Sequence, residues 1–182
     1  MINAINAINA INAIEELKAR ARLLHRRAEA GDPAALERLR RLPQFRSGSG
    51  PTPPIQRKHS LAVIARELGF SGWPHAHRVL RGDEDESDLG TLLYPHRGCA
   101  FTNQWFADYA AARRTHAQVG GYLLGYRSQF FVCSRQFVAA LGLDPDDPDW
   151  KAMGLDWVRP RQLAARRRLY AKLLAGLPRE RA

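Results

Sequence analysis

The sequence predicts a mainly α-helical chain with a small antiparallel β-sheet in its C-terminal half. Three observations carry this. Apolar residues recur at helical spacing through residues 15–80 and again through 160–175. Those stretches are punctuated by Asp-Pro and Ser starts and by glycine stops. Between them, residues 122–124 and 129–133 are short, aromatic-rich runs around a turn at 125–128, the pattern of a hairpin.

Taken in order, residues 1–14 are a tandem INA repeat. Isoleucine at every third position steps about 60° back around a helix each time, so the repeat lacks an amphipathic face. It also lacks the basic start of a secretory signal, and it reads as low-complexity sequence or an over-extended start site. Residues 15–30 form a helix, with Glu15 and Glu16 at its start and Arg26 and Arg27 towards its end, matching the helix dipole. Leu17, Ala21, Leu24 and Ala28 form its apolar face, and Gly31 ends it. Asp32 and Pro33 restart a helix over 33–42 with Leu36, Leu39 and Leu42 inward, and Pro43 stops it. Residues 45–54 read as a linker or exposed loop.

Residues 55–68 are the next helix, with Ile55, Leu61, Ile64, Ala65 and Leu68 on one broad face. Gly69 makes the turn, Ser71 to Pro74 start a further helix to about Leu80, and Gly82 ends that one. The acidic run at 83–88, DEDESD, reads as solvated loop. Residues 89–94 suggest a strand. Residues 102–119 suggest one long helix capped by Thr102, with Trp105, Phe106, Tyr109 and Ala112 facing a core. After the hairpin, Ser134 caps a short helix to Leu141, and Asp147-Pro148 opens another through Met153. A strong last helix spans 160–175, with Leu163, Tyr170, Leu174 and Leu177 on one side. The organisation is therefore a repeat (1–14), a helical part (15–82) and an α+β part with a basic last helix (83–182).

Charge is segregated along this order. Residues 1–82 carry a formal +8, residues 83–158 carry −5 and residues 159–182 carry +7, for the whole-chain +10. A basic protein favours polyanions or anionic surfaces. The same asymmetry also allows the basic ends to dock on the acidic middle. Basic residues are mostly arginine, with only Lys18, Lys58, Lys151 and Lys172 as lysines. No run reaches the ~18 apolar residues of a membrane span, which points to a soluble, cytoplasmic protein without a membrane role. Cys99 and Cys133 lie in no CxxC pair and read as reduced thiols, with a disulfide between them left open.

Around the glycine turn stand Ile64, Ala65, Glu67, Gly69 and Phe70, followed by Arg78, Val79, Leu80 and Arg81. With these residues, 61–81 resembles the helix-turn-helix of AraC-type transcription regulators. The resemblance implies that the second helix enters a DNA major groove. Its reading face would then lie around Trp73, His75, His77, Arg78 and Arg81, with Arg57 and Lys58 neutralising phosphates. The run Ala65, Arg66, Glu67, Leu68, Gly69, Phe70 with Trp73 and Pro74 also resembles a small helical module of uncharacterised bacterial proteins, some with ankyrin repeats; that similarity implies fold and no activity. Around the last helix, Arg159, Arg161, Arg166, Arg167 and Arg168 form a second basic patch, with Arg166 and Arg167 as candidate phosphate contacts or a solvated face.

Other constellations are weaker. His75 and His77 point about 200° apart on a helix and do not share a metal. Asp144, Asp146, Asp147 and Asp149 lack the glycine and distal glutamate of a calcium loop, so turn and cap roles fit them better. No nucleophile elbow, phosphate loop, zinc-protease or dinucleotide fingerprint occurs. No cofactor, metal site or catalytic residue is therefore assigned. The function expected first is a small nucleic-acid-associated protein using 61–81 and the basic ends. A protein-interaction module without nucleic acid is the alternative. An enzyme using Cys99 and His96, with a pocket lined by Tyr94, Asn103 and Arg127, is the third reading.

Overall fold

The computed structural model describes residues 13–46, 54–94 and 101–178. Residues 1–12 of the INA repeat, most of the 45–54 loop, and both Cys99 and His96 lie outside the described residues.

The chain is mainly α-helical with one small antiparallel sheet, as the periodicity predicts. Helix α1 (Ala13–Glu29) is the central strut of the helical part. Its stripe Leu17, Ala21, Leu24 and Ala28 is buried, and it packs on α3 (Arg57–Glu67), on α2 (Pro33–Arg40), on α4 (Trp73–Arg81) and on the last helix, α8 (Leu163–Gly176). Two charged residues of α1 are buried with that stripe. Arg20 donates from Nε to Glu16 at 3.0 Å and from its two terminal nitrogens to the carbonyls of Leu174, Leu177 and Pro178. Those carbonyls close the C-terminal end of α8, where helix carbonyls lack intrahelical donors. One buried cation thus ties the first helix to the last.

Asp32 caps α2 by accepting the Ala34 N–H at 2.9 Å. Beyond α2, a 3-10 turn (Pro43–Phe45) places Phe45 edge-on to His59, with ring centroids 4.8 Å apart. Phe45 is therefore core and not the start of an exposed linker. A bidentate Arg38–Glu67 pair at 2.9 and 2.6 Å joins α2 to the end of α3.

Two expectations in the middle of the chain are corrected. Residues 89–94 are not a strand. They return along the α3–α4 hairpin, with Thr91 N–H donating to Gly69 O at 3.0 Å, and bond the backbone of the turn residue Arg127, through Leu89 N–H to Arg127 O and Arg127 N–H to Gly90 O. Pairing with a turn residue that itself has a φ of 52° cannot propagate a ladder. Likewise the helix expected over 102–119 is split. Strand β1 (Gln104–Phe106) pairs with β3 (Gln129–Cys133), and helix α5 (Tyr109–Val119) begins only after Asp108, whose carboxylate accepts the Ala111 N–H at 2.7 Å. Adjacent Trp105 and Phe106 point to opposite faces of a strand. Trp105 stacks on Phe131 at 4.7 Å yet stays 39% exposed, so it does not face a closed core.

The sheet order is β1–β3–β2, with β2 (Tyr122–Tyr126) completing the hairpin. Gly125 belongs to β2 and not to the turn. A side chain there would stand 2.1 Å from Leu89, so glycine is needed for the close approach of the returning segment. One face of the sheet, with Leu124, Phe131 and Cys133, joins the main hydrophobic cluster, which runs continuously from α1 to α8. The other face, with Leu123 and Val132, is covered by Ala112 of α5. Cys133 is a free, buried thiol, and burial pushes its pKa up. Helices α6 (Arg135–Ala140) and α7 (Pro148–Ala152), capped by Ser134 and Asp147, lead into α8. No helix among the described residues is long and apolar enough to cross a membrane.

Candidate nucleic-acid interface

The α3–α4 hairpin is built by local chemistry. Gly69 has φ +88°, which an L side chain adopts at a cost, and a Cβ there would stand 2.1 Å from Thr91 Oγ1. Ala65 is fully buried and Phe70 is nearly so, filling the angle between the helices. Helix α4 then buries His75, Ala76, Val79 and Leu80 and leaves Pro74, Arg78 and Arg81 exposed, with His77 half-buried between them. These four lie at i, i+3, i+4 and i+7, a single solvent stripe. Trp73 is half-buried and lies 5.8 Å from the His77 ring, so it flanks the stripe without covering it.

The candidate residues divide into two groups. Arg81 is exposed and forms no ion pair among the described residues. Arg167 is exposed beside it and donates from Nε (3.1 Å) and Nη2 (2.5 Å) to the Arg81 carbonyl. That acceptor is neutral, so the guanidinium keeps its full charge at the C-terminal end of α4. Arg57 and Lys58 are exposed at the start of α3. The length of that helix separates them from the Gly69 turn by about 15 Å. Arg57 acts on Glu15, whose carboxyl is lowered first by the bond from Lys18.

Two candidates are not surface residues, and this corrects their expected role. His75 is buried: Nδ1 accepts the Ser71 N–H at 3.0 Å and Nε2 faces the Asp88 carbonyl at 2.7 Å. It fastens the returning segment to the turn. Arg166 is also buried, donating from Nη1 to the carbonyls of Trp157 (2.9 Å) and Val158 (3.1 Å). Burial lowers its pKa, and its Nε has no partner among the described residues. Its Nη2 lies 2.6 Å from where a Cβ on Gly82 would stand, so it packs against the residue that ends α4. Arg166 therefore braces the helix from inside and is not part of the solvated surface.

The charge segregation is partly consumed inside the molecule. Arg168 and Lys172 of α8 both bond Asp149, and Lys172 also reaches Asp147 at 2.6 Å. Burial pushes the Asp149 carboxyl up, but donation from Arg168 and Lys172 outweighs it, and its pKa lies below the ordinary value. Arg78 donates to Glu86 at 2.8 Å. The sequence does not reveal these pairs, because each joins segments distant in the chain or separated by a loop.

Of the residues expected to line an enzyme pocket, Tyr94 packs among Trp105, Tyr126, Phe131 and Phe137, and Arg127 sits over the Tyr126 ring. Asn103 carries a buried amide without a hydrogen-bond partner among the described residues. Compared with family models, with curated proteins and with solved structures, the chain finds no match.

Proposed function

We propose that the protein associates with nucleic acid through the exposed stripe of α4 and the adjoining Arg167. One observation carries this reading: Arg81 and Arg167 stand side by side at the end of a packed hairpin helix, exposed and without carboxylate partners among the described residues. Exposed guanidinium groups release counterions on meeting phosphates, and the neighbouring His77 and Pro74 leave the helix narrow enough to enter a groove. Arg66, exposed at the end of α3 and bonded to the Ser71 carbonyl, adds a positive charge near the opposite, N-terminal end of α4. In this reading Arg57 and Lys58, exposed at the start of α3, supply a further phosphate contact.

The test is a gel-shift or anisotropy titration with a labelled mixed-sequence DNA duplex at low salt. Wild-type protein binds, and Arg81→Ala weakens binding about tenfold with a salt slope smaller by about one. Unchanged affinity in that variant, or no binding at low salt, defeats the reading. A protein-binding role without nucleic acid is the second reading. It is favoured by the depth at which Phe70 and His75 are buried, as a purely structural hairpin requires.

A further inference from the structure

Resting on the reading of α4 as a polyanion face, we infer that the acidic segment 83–88 is a built-in competitor for that face. It leaves α4 at Gly82, where a φ of +83° reverses the chain. It then runs back beside the helix it has just left. The Asp83 N–H donates to Arg78 O at 3.0 Å, Glu86 Oε2 takes Arg78 Nε at 2.8 Å, and the Asp88 carbonyl meets His75 Nε2 at 2.7 Å. Contacts at 75 and 78 follow one flank of α4, next to the 74, 77, 81 edge.

Glu86 is held in place and not merely nearby. Its side chain is 10% exposed, and its second oxygen accepts the Asp88 N–H at 3.0 Å. Asp88 in turn accepts the Gly90 N–H at 2.8 Å. The carboxylate therefore occupies, at the Arg78 guanidinium, the position a phosphate oxygen would take. Asp83, Glu84 and Asp85 are exposed in the same loop and add negative potential beside the stripe. At Arg78 a phosphate competes with the Glu86 charge already on Nε, whereas Arg81 and Arg167 face no carboxylate among the described residues.

The experiment compares Glu86→Gln with Glu84→Gln by anisotropy, using a labelled 20-base-pair duplex across a potassium chloride series. Both remove one charge, and only the first releases Arg78. The glutamine amide oxygen still accepts the Asp88 N–H, which keeps the turn, and thermal melting checks the fold. Glu86→Gln is expected to tighten binding about fivefold and to steepen the salt slope by about one, since one more phosphate is neutralised. Glu84→Gln should tighten it less than twofold through general charge alone. Arg78→Ala should cost the wild type little and cancel the gain in the Glu86→Gln background. Equal tightening by the two glutamine variants, or none from Glu86→Gln while Arg81→Ala still weakens binding, overturns the competitor and leaves the α4 face standing. No binding by any variant at low salt defeats both.

Discussion

Helices α4 and α8 both carry clustered arginines, and they use them in opposite ways. On α8, Arg168 and Lys172 are neutralised by Asp149 and Asp147, and Arg166 is buried on carbonyls. That charge holds the C-terminal half together. On α4, Arg81 remains open to solvent, and α8 lends it Arg167. The difference teaches that a basic helix declares its role by where its counter-charges sit and not by its composition. Asp147 and Asp149 close onto α8 as structural partners, whereas the acidic residues of 83–88 lie at the rim of α4 with one firm ion pair.

The comparison can be broken from the α8 side first. Arg166→Ala removes a buried cation and strands the Trp157 and Val158 carbonyls, and it should destabilise by about 3 kcal/mol. At this chain length that corresponds to a melting temperature lower by roughly 6–12 °C. A shift under 2 °C would mean that Arg166 is not structural. Asp149→Ala should cost about 1 kcal/mol by unpairing the half-exposed Arg168, while Lys172 keeps Asp147.

The same carboxylate gives a pH signature. Its folded pKa lies below the ordinary 3.8, so its contribution is complete above that value and is lost as pH falls through the lowered one. Wild-type stability should therefore drop below about pH 4 more steeply than that of Asp149→Ala, measured by urea unfolding at a series of pH values. His59 adds a milder acid sensitivity. Burial lowers its pKa from 6.5, with Lys58 and His25 adding to the effect. The neutral imidazole, which accepts the Gln56 N–H on Nδ1 at 3.0 Å, is favoured in the folded state. Its contribution is present above pH 6.5 and fades as pH falls through the lowered value. His59→Gln should flatten the unfolding profile in that window.

At the small end stands Lys172→Ala. Lys172 is half-exposed and Asp149 keeps Arg168, so the change should cost no more than about 0.5 kcal/mol and leave nucleic-acid binding unaltered. A large loss of binding would show that α8 contributes its outer face after all.

Much of the helical frame was legible in the sequence because its signals are local. The Leu17, Ala21, Leu24, Ala28 stripe, the Asp32 cap and the Gly69 turn each rest on residues a few positions apart. The sheet was half legible. The β2–β3 hairpin shows in adjacent aromatic runs, but β1 shows only once β3 is present to pair with it, and Trp105 and Phe106 fit a helix pattern equally well. The candidate interface divides the same way. Arg78 and Arg81 face outward, as the helix-turn-helix resemblance implied. The burial of Arg166, His75 and the Glu16–Arg20 pair was not legible, because their partners are carbonyls and segments up to 158 residues away. Glu86 on Arg78 was hidden because an acidic loop reads as solvated until the Gly82 reversal is known.

The central claim, that the charge left open on α4 and Arg167 meets phosphates, is tested most directly by one titration. Wild type and Arg81→Ala/Arg167→Ala are compared by anisotropy on the same duplex across a salt series. The account predicts about 30-fold weaker binding for the double variant at low salt and a salt slope smaller by about two, with melting temperatures nearly equal. Equal affinities and equal slopes for the two proteins would contradict it.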